Sequence, residues 1–159
     1  MDRLWAPWRI KYVATKKEKR CIFCKAASYR GKNSVVFKTK YSICILNIFP
    51  YNNGHLLVSP LRHARELCDL KENEILDLFR ALVRAQKLLG MVLKPHGYNI
   101  GLNLGKSAGS GITGHLHLHI VPRWQGDANF MSAIYDTKVI SQSLAQLYKR
   151  LKNAYAKTN

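Results

Sequence analysis

Residues 114–124 read Gly-His-Leu-His-Leu-His-Ile-Val-Pro-Arg-Trp and carry three of the chain's six histidines at alternate positions. This alternation of polar and branched apolar residues predicts a β-strand. Same-face neighbours in a strand lie about 6 to 7 Å apart, so His115, His117 and His119 form a row on one face. Imidazoles at such positions need hydrogen-bond partners or water. The row therefore predicts metal ligation, or nucleophilic and acid–base chemistry near neutral pH.

The rest of the chain contains further strand and helix patterns. Four segments have the alternating or continuous apolar residues of strands, namely 34–38, 41–46, 55–60 and 98–103. Two segments have the apolar spacing of amphipathic helices, namely 70–93 and 136–153. In the first helix, Ile75, Phe79 and Val83 contribute to the predicted apolar face. We expect an α+β fold, an antiparallel five-stranded sheet with a long central helix and a C-terminal helix on one side.

The length of the chain indicates how many domains it forms. With 159 residues, the chain is expected to form a single domain, 1–159. Residues 1–20 contain two Trp and a basic run, which indicates an N-terminal arm. Residues 125–159 form a C-terminal extension that contains the second predicted helix.

The composition is strongly basic, with 26 Lys and Arg against 9 Asp and Glu, a net charge of +17. Such a surface attracts polyanions, although a solvated basic surface without a specific partner is an equally open reading. No run of about 18 apolar residues occurs, so no membrane span is expected. The N-terminal residues lack the continuous apolar stretch of a secretory signal, and we expect a cytoplasmic protein. The four cysteines are then thiols or metal ligands.

A pair of cysteines has the spacing of a metal site. Cys21 and Cys24 are separated by two residues, as in a zinc knuckle. A closed tetrahedral site needs two further ligands, for which His63 and His115 are candidates. The alternative is a pair of ordinary thiols. Cys44 and Cys68 are expected to be packing residues.

Several motifs together resemble one protein family. They are Cys-x-x-Cys near the start, Gly54-His55-Leu56-Leu57-Val58 in mid-chain after an Asn, and the histidine row followed by Pro122-Arg123. This pattern is similar to that of the histidine triad (HIT) superfamily of nucleotidyl hydrolases and transferases. Residues 5–9, Trp-Ala-Pro-Trp-Arg, and the motif from Pro122 to Phe130 resemble the prokaryotic branch related to diadenosine tetraphosphate phosphorylases and hydrolases. The resemblance implies a HIT-like fold and a homodimer that extends the sheet across a two-fold axis.

The resemblance also implies roles for individual residues. His117 would be the nucleophile that attacks the α-phosphate of a dinucleoside polyphosphate and forms a nucleotidyl-imidazole. His119 would bind the phosphoryl oxygens and assist the leaving group. The implied substrate-binding residues are Asn47 at the ribose, His55 beside the triad, and Asn103, Gly105, Ser107 and Gly111 around the phosphates. In some members a Cys-x-x-Cys, a mid-chain His and the first triad His hold structural Zn²⁺, here Cys21, Cys24, His63 and His115. No organic cofactor is implied.

The chain departs from the family pattern at one point. Many members carry Gly-Gln-Ser or Gly-Gln-Thr before the triad, whereas residues 110–114 are Ser-Gly-Ile-Thr-Gly. In this chain the group that contacts the phosphate could be Ser107, Ser110 or a backbone amide. The sequence also leaves open whether water or inorganic phosphate is the acceptor, which separates a hydrolase from a phosphorylase. Alternatives are a nucleoside phosphoramidate hydrolase on the same scaffold and a non-catalytic module that binds nucleotides or nucleic acid. Nucleic acid is not required as a partner under the first hypothesis.

Overall fold

Five strands form one antiparallel sheet in this computed structural model, which describes residues 21–28, 34–112, 114–127 and 142–158. The strands are β1 (Val35–Lys38), β2 (Ser42–Leu46), β3 (Leu56–Pro60), β4 (Gly97–Leu102) and β5 (Leu118–Arg123), in the order β1-β2-β3-β5-β4. The described helices are α1 (Ile22–Ser28), α2 (Glu72–Leu93) and α3 (Leu144–Ala156), with a 3-10 turn at Leu67–Asp69. The predicted α+β sheet with a long central and a C-terminal helix is confirmed. None of the helices in the described part of the chain is long and apolar enough to cross a bilayer.

The two faces of the sheet carry separate cores, because neighbouring residues of a strand point to opposite faces. On one face, Cys44 and Leu46 join the apolar sides of α2 and α3, including Leu82 and Leu147. On the other face, Ile43, Ile45 and Leu57 pack with Phe23 and Ala26 of α1. The two predicted helices lie together on one face as expected, whereas α1, which was not predicted, covers the opposite face. The C-terminal extension contributes α3 to the larger core.

Helix α2 begins at Glu72 and ends before Lys94, whose φ of 48° is left-handed. The predicted start, residue 70, was two residues early. Ile75, Phe79 and Val83 were predicted to face the core, but their side chains are 39%, 52% and 49% exposed. The sheet covers only a narrower stripe of α2, centred on Leu78, Leu82 and Leu89. Helix α3 starts later than predicted, at Leu144, where the Ser143 hydroxyl accepts the Gln146 N–H.

The histidine row is only partly a strand. β5 begins at Leu118, so His115 and His117 precede the strand predicted to contain them. The backbone of Leu116 is held by other groups, because its N–H donates to the Ala64 carbonyl and its carbonyl accepts the Ser59 hydroxyl. These bonds replace the sheet ladder at this position. The segments 1–20 and 128–141 lie outside the described residues, as does the start of the predicted helix 136–153.

A tight turn sets the position of His55 at the start of β3. Gly54 has a φ of 81°, and a Cβ there would lie 2.5 Å from the Leu93 Cδ1. Only glycine fits both the left-handed backbone and the close approach to the end of α2. The turn therefore places His55 at the start of β3, the central strand, next to β5.

Candidate active site

The histidines lie on the sheet face covered by α1. His119 pairs with Leu57 of β3, and directly paired residues share a face. The ring of Phe23 packs against those of His115 and His117, with centroids 5.1 and 5.2 Å away. Leu116, Leu118 and Ile120 join the opposite core with α2, as the alternation predicts. The same-face arrangement of the row is thus present although the strand is shorter.

The tautomer of His117 is set by a backbone carbonyl. Its Nδ1 lies 2.8 Å from the His115 carbonyl oxygen, which only accepts, so Nδ1 carries the hydrogen and donates. Burial lowers the pKa of His117 below its ordinary value, which keeps the ring neutral at pH 7. The Nε2 lone pair of His117 is consequently available. A neutral imidazole with a free Nε2 is a competent nucleophile.

A chain of hydrogen bonds sets the tautomers of His55 and His119. The Tyr51 N–H donates to His55 Nδ1 at 3.1 Å, so His55 carries its hydrogen on Nε2. That Nε2–H donates to His119 Nδ1 at 2.8 Å, which places the hydrogen of His119 on its own Nε2. The His119 Nε2 is buried and has no hydrogen-bond partner among the described residues. His119 thus presents an N–H donor within the site.

Burial keeps this pair of rings uncharged. Burial lowers the pKa of His55 to about 3, with smaller contributions from His119 and His117. It lowers the pKa of His119 to about 4, with a contribution from His117. The rings of His117 and His119 have centroids 4.9 Å apart. At neutral pH the site therefore combines a lone-pair nitrogen and an N–H donor on adjacent neutral rings.

Asn47 and Tyr51 complete the surroundings of His55. The Phe49 N–H donates to Asn47 Oδ1 at 2.9 Å, so the Asn47 amide nitrogen faces His55 Nδ1 at 3.1 Å. The Tyr51 ring is nearly parallel to that of His119, with centroids 5.8 Å apart, and is 45% exposed. Tyr51 was not predicted as a site residue, because its sequence context signalled only a turn.

The predicted phosphate-binding residues are not all brought together. Asn103 and Gly105 line a cavity of about 470 Å³ whose other walls include Arg65, Cys68 and His115. Ser110 also lines this cavity, whereas Ser107 and Gly111 are exposed on the loop between β4 and β5 and do not line it. Cys68 was predicted to be a packing residue and this is wrong, because it lies exposed on the 3-10 turn at the cavity wall.

Four predicted metal ligands converge at one end of the histidine row. The ligand atoms of Cys21, Cys24, His63 and His115 all lie within 4.8 Å of one another. The two cysteines come from the start of α1, His63 follows β3, and His115 precedes β5. These residues can hold a metal ion.

The donor geometry of this cluster fits a tetrahedral ion. Cys21 Sγ lies 3.1 Å from His115 Nδ1, Cys24 Sγ 3.2 Å from His63 Nδ1, and Cys24 Sγ 3.7 Å from His115 Nδ1. Ligands at zinc bond lengths stand about 3.3 to 3.8 Å apart in a tetrahedron. The His115 Nε2–H donates to the Pro60 carbonyl at 2.9 Å, so its Nδ1 lone pair faces the sulfurs. Burial and the neighbouring Cys21 raise the pKa of the Cys24 thiol, which a bound cation would oppose.

The motif after β5 has a structural role. Arg123 holds Asp127 with two hydrogen bonds of 2.6 and 2.8 Å and also donates to the Asn99 side chain. The Asn52 amide donates to Asp127 and to the Pro122 carbonyl. These bonds tie the turn before His55 to the end of β5, and so help to align β3 with β5.

Known proteins are similar to this chain in sequence. The family model of the HIT domain matches residues 30–126 of this chain. A protein of Mycobacterium tuberculosis named AP-4-A phosphorylase is 39% identical, and the match covers 99% of this chain and 86% of that protein. The asymmetrical bis(5'-nucleosyl)-tetraphosphatase of Schizosaccharomyces pombe is 33% identical over 78% of this chain and 68% of its own length. Both names agree with the expectation of a nucleotide-cleaving HIT enzyme.

The fold comparison gives the same result. A zinc-bound histidine triad family protein from Mycobacterium smegmatis superimposes with a TM-score of 0.71 at 27% identity, covering 87% of this chain and 94% of that one. Sequence match, sheet topology and histidine row agree with one another. The chain therefore belongs to the HIT domain family.

Proposed function

We propose that this protein cleaves dinucleoside polyphosphates of the diadenosine tetraphosphate type at the α-phosphate, with His117 as nucleophile. The observation that carries the proposal is the pairing of a free Nε2 on His117 with an N–H donor on His119. The names of the two relatives supply the substrate class. A protein that only bound nucleotides would not need a lone pair on one histidine beside an N–H donor on the next.

In the first step, His117 Nε2 attacks the α-phosphorus and forms a P–N bond. The bond between the α-phosphorus and the bridging oxygen breaks, and the remaining nucleoside polyphosphate leaves with the electron pair. The imidazole becomes a cation that keeps its Nδ1–H, which the His115 carbonyl stabilises. The His119 Nε2–H donates to a phosphoryl oxygen as negative charge develops there.

In the second step, an acceptor oxygen attacks the nucleotidyl-His117 and releases the ring as a neutral imidazole. Inorganic phosphate as acceptor gives a nucleoside diphosphate, and water gives a nucleoside monophosphate. We favour phosphate, because the relative named AP-4-A phosphorylase matches 99% of this chain. Covalent catalysis of this kind divides one displacement into two easier ones.

The remaining proposed contacts bind and orient the substrate. Asn47 keeps one lone pair of its Oδ1 for a ribose hydroxyl, and His55 holds His119 in its tautomer. Asn103 and Gly105 lie at the end of β4, at the start of the loop that also carries Ser107 and Gly111. Backbone N–H groups of such a glycine-containing loop are suited to binding phosphate.

Zn²⁺ is the metal that best fits the donor set of two sulfurs and two imidazoles. Cys21, Cys24, His63 and His115 would hold it, and it would supply structural cross-linking. His115 thereby keeps its carbonyl at the Nδ1–H of His117. The metal site and the nucleophile are linked through one residue.

Product analysis tests this function. Diadenosine tetraphosphate is incubated with the protein with and without inorganic phosphate, and nucleotides are separated by chromatography. ADP with ATP in the presence of phosphate supports phosphorolysis, and AMP with ATP supports hydrolysis. We expect His117→Ala to abolish both while the circular dichroism spectrum is kept. Absence of cleavage alongside rapid hydrolysis of a nucleoside phosphoramidate would replace this substrate class with the other.

A further inference from the structure

The carboxylates of this chain are unevenly distributed. No Asp or Glu occurs between Asp77 and Asp127, or after Asp136. These two stretches contain the second half of α2 and all of α3. Six of the 26 Lys and Arg residues lie on these two helices, and neither helix carries an acidic residue beyond Asp77.

The two helices lie side by side and antiparallel. Arg84 of α2 donates to the Tyr155 hydroxyl of α3 at 3.2 Å, while Arg150 of α3 donates to the Val92 carbonyl of α2. Seven exposed cations lie on these helices and at the end of α3. Lys152 donates to the Val36 carbonyl, and we name the other six the basic face: Arg80, Arg84, Lys87, Lys149, Arg150 and Lys157.

Two of the three carboxylates of α2 are bound to residues outside the basic face. Glu74 forms an ion pair with Arg62 at 2.7 Å, at the other end of α2. Asp77 accepts hydrogen bonds from the Thr39 hydroxyl and the Tyr41 N–H. Among the described residues, no ion pair joins a carboxylate to the basic face.

The basic face is separate from the histidine site. Both helices cover the sheet face opposite to that of His117 and His119, since Leu118 and Ile120 pack with α2 while the histidines point away. Its charge is therefore not part of the nucleotide pocket. A second anionic ligand can be bound there while the histidines are occupied.

We propose that the basic face binds the phosphate backbone of double-stranded nucleic acid without reading its sequence. Arg80, Arg84 and Lys87 follow i, i+4, i+7 spacing on one side of α2 and span about 10 Å along it. Each strand of a DNA duplex presents one phosphate per about 3.4 Å of its axis, so this span faces several phosphates.

The aromatic residues of α3 favour a duplex over an unpaired strand. The ring of Tyr155 stacks on Phe37 at 5.1 Å, and the Tyr148 hydroxyl donates to the Val35 carbonyl. Both are half-buried by the packing of α3 on β1. The helix thus offers cations rather than a platform for stacking bases, which single-strand binding uses.

A salt titration with matched variants tests the proposal. Fluorescence anisotropy follows a short labelled DNA duplex of random sequence from about 50 to about 200 mM salt. Arg80→Gln/Lys87→Gln removes two charges from the basic face. Lys40→Gln/Lys71→Gln removes two exposed charges elsewhere and is the control. We expect the face variant to bind at least tenfold more weakly and its log–log salt slope to fall by about 2.

The control should bind within about twofold of the wild type, and an RNA duplex should show the same loss in the face variant. Equal weakening in both double variants would show that net charge alone acts, and no binding at the lowest salt would also overturn the proposal. Cleavage of diadenosine tetraphosphate is measured in parallel. The cleavage rate should be unchanged in the face variant. Loss of duplex binding and loss of the proposed enzyme activity are therefore measured separately.

Discussion

Hydrogen bonds assign a hydrogen to one nitrogen of each imidazole in the site. The His115 carbonyl does so for His117, the Tyr51 N–H for His55, and His55 in turn for His119. The nucleophile and the donor are therefore prepared before substrate arrives. Such preorganisation is a major source of transition-state stabilisation.

Substitution at His119 tests its role as an N–H donor. His119→Gln keeps an amide N–H for the phosphoryl oxygen and a carbonyl for the His55 Nε2–H, so we expect kcat within about tenfold of the wild type. His119→Leu removes both groups and should lower kcat by about a hundredfold or more. Steady-state kinetics on diadenosine tetraphosphate measure the difference. Equal losses in the two variants would contradict the donor role.

The two buried neutral rings predict a pH dependence of stability. The folded pKa values of about 3 for His55 and about 4 for His119 lie below the unfolded value near 6.5. Below pH 6.5 the unfolded chain binds more protons than the folded one, so stability falls as pH is lowered towards 4. Between pH 6.5 and pH 5, His55 alone should account for a loss of about 2 kcal/mol. Urea unfolding at both pH values measures it.

Matched variants isolate this contribution from other acid effects. His55→Gln should reduce the loss of unfolding free energy between the two pH values by that amount. His96→Gln, at an exposed histidine outside the site, is the matched control for loss of an imidazole. An unchanged pH dependence in His55→Gln would contradict the assignment of a buried neutral ring.

The sequence was sufficient to predict which histidines share a face, because the alternation of residues 115–120 is local. It did not predict which nitrogen carries each hydrogen. That property depends on the turn geometry that brings the Tyr51 N–H to His55, and on the contact of His55 with His119, which lies 64 residues away in sequence. Tyr51 was missed because its sequence context indicates only a turn, whereas its ring contact with His119 is distant in sequence.

At the scale of elements, α1 is the segment most dependent on the metal cluster. It has seven residues and buries only Phe23 and Ala26, so it cannot be stable by itself. We expect one Zn²⁺ per chain by elemental analysis, and loss of both the metal and several degrees of Tm in Cys21→Ser. Cys68→Ser, at an exposed cysteine outside the cluster, should keep both. Metal-free wild-type protein with unchanged Tm would contradict this account.

Local periodicity predicted that the strands and α2 exist, but it predicted their first and last residues less accurately. β5 starts at Leu118 because the Ala64 carbonyl and the Ser59 hydroxyl bind the Leu116 backbone, which no local pattern reports. Helix α1 was not predicted, because a single short helix around Cys-x-x-Cys has no periodicity to detect. The exposure of Phe79 and Val83 depends on how much of α2 the sheet covers.

At the scale of the whole molecule, these exposed residues form an apolar surface beside an edge strand. Leu76, Phe79 and Val83 of α2 are 50%, 52% and 49% exposed, and Ile100 of β4 is 46% exposed. β4 is the last strand of the sheet and pairs only with β5 among the described strands. An unpaired edge flanked by apolar residues is a site for strand addition. We propose that a second copy of the chain pairs here and extends the sheet.

Mass measurement in solution tests the homodimer. Sedimentation should give twice the chain mass of 18.2 kDa for the wild type and a single chain mass for Val83→Glu, which buries a charge at the interface. Met91→Glu changes an exposed apolar residue on another side of α2 and should remain dimeric. A wild-type monomer at micromolar concentration would contradict the proposal. Arg80 and Arg84 of the basic face each follow directly after Phe79 and Val83, and are therefore rotated by about 100° around the helix axis from them. A dimer that buries Phe79 and Val83 thus need not cover the basic face.

The central claim is that His117 Nε2 accepts a nucleotide covalently, and trapping the adduct is its most direct test. The protein is mixed with labelled diadenosine tetraphosphate without added phosphate and quenched in alkali, where phosphorus–nitrogen bonds persist. Peptide mass spectrometry then locates the label. We predict an adenylyl group on His117 that appears within the first turnover and disappears on addition of phosphate or during hydrolysis. Product formation in the first turnover with no adduct on His117 at any quench time would contradict the account.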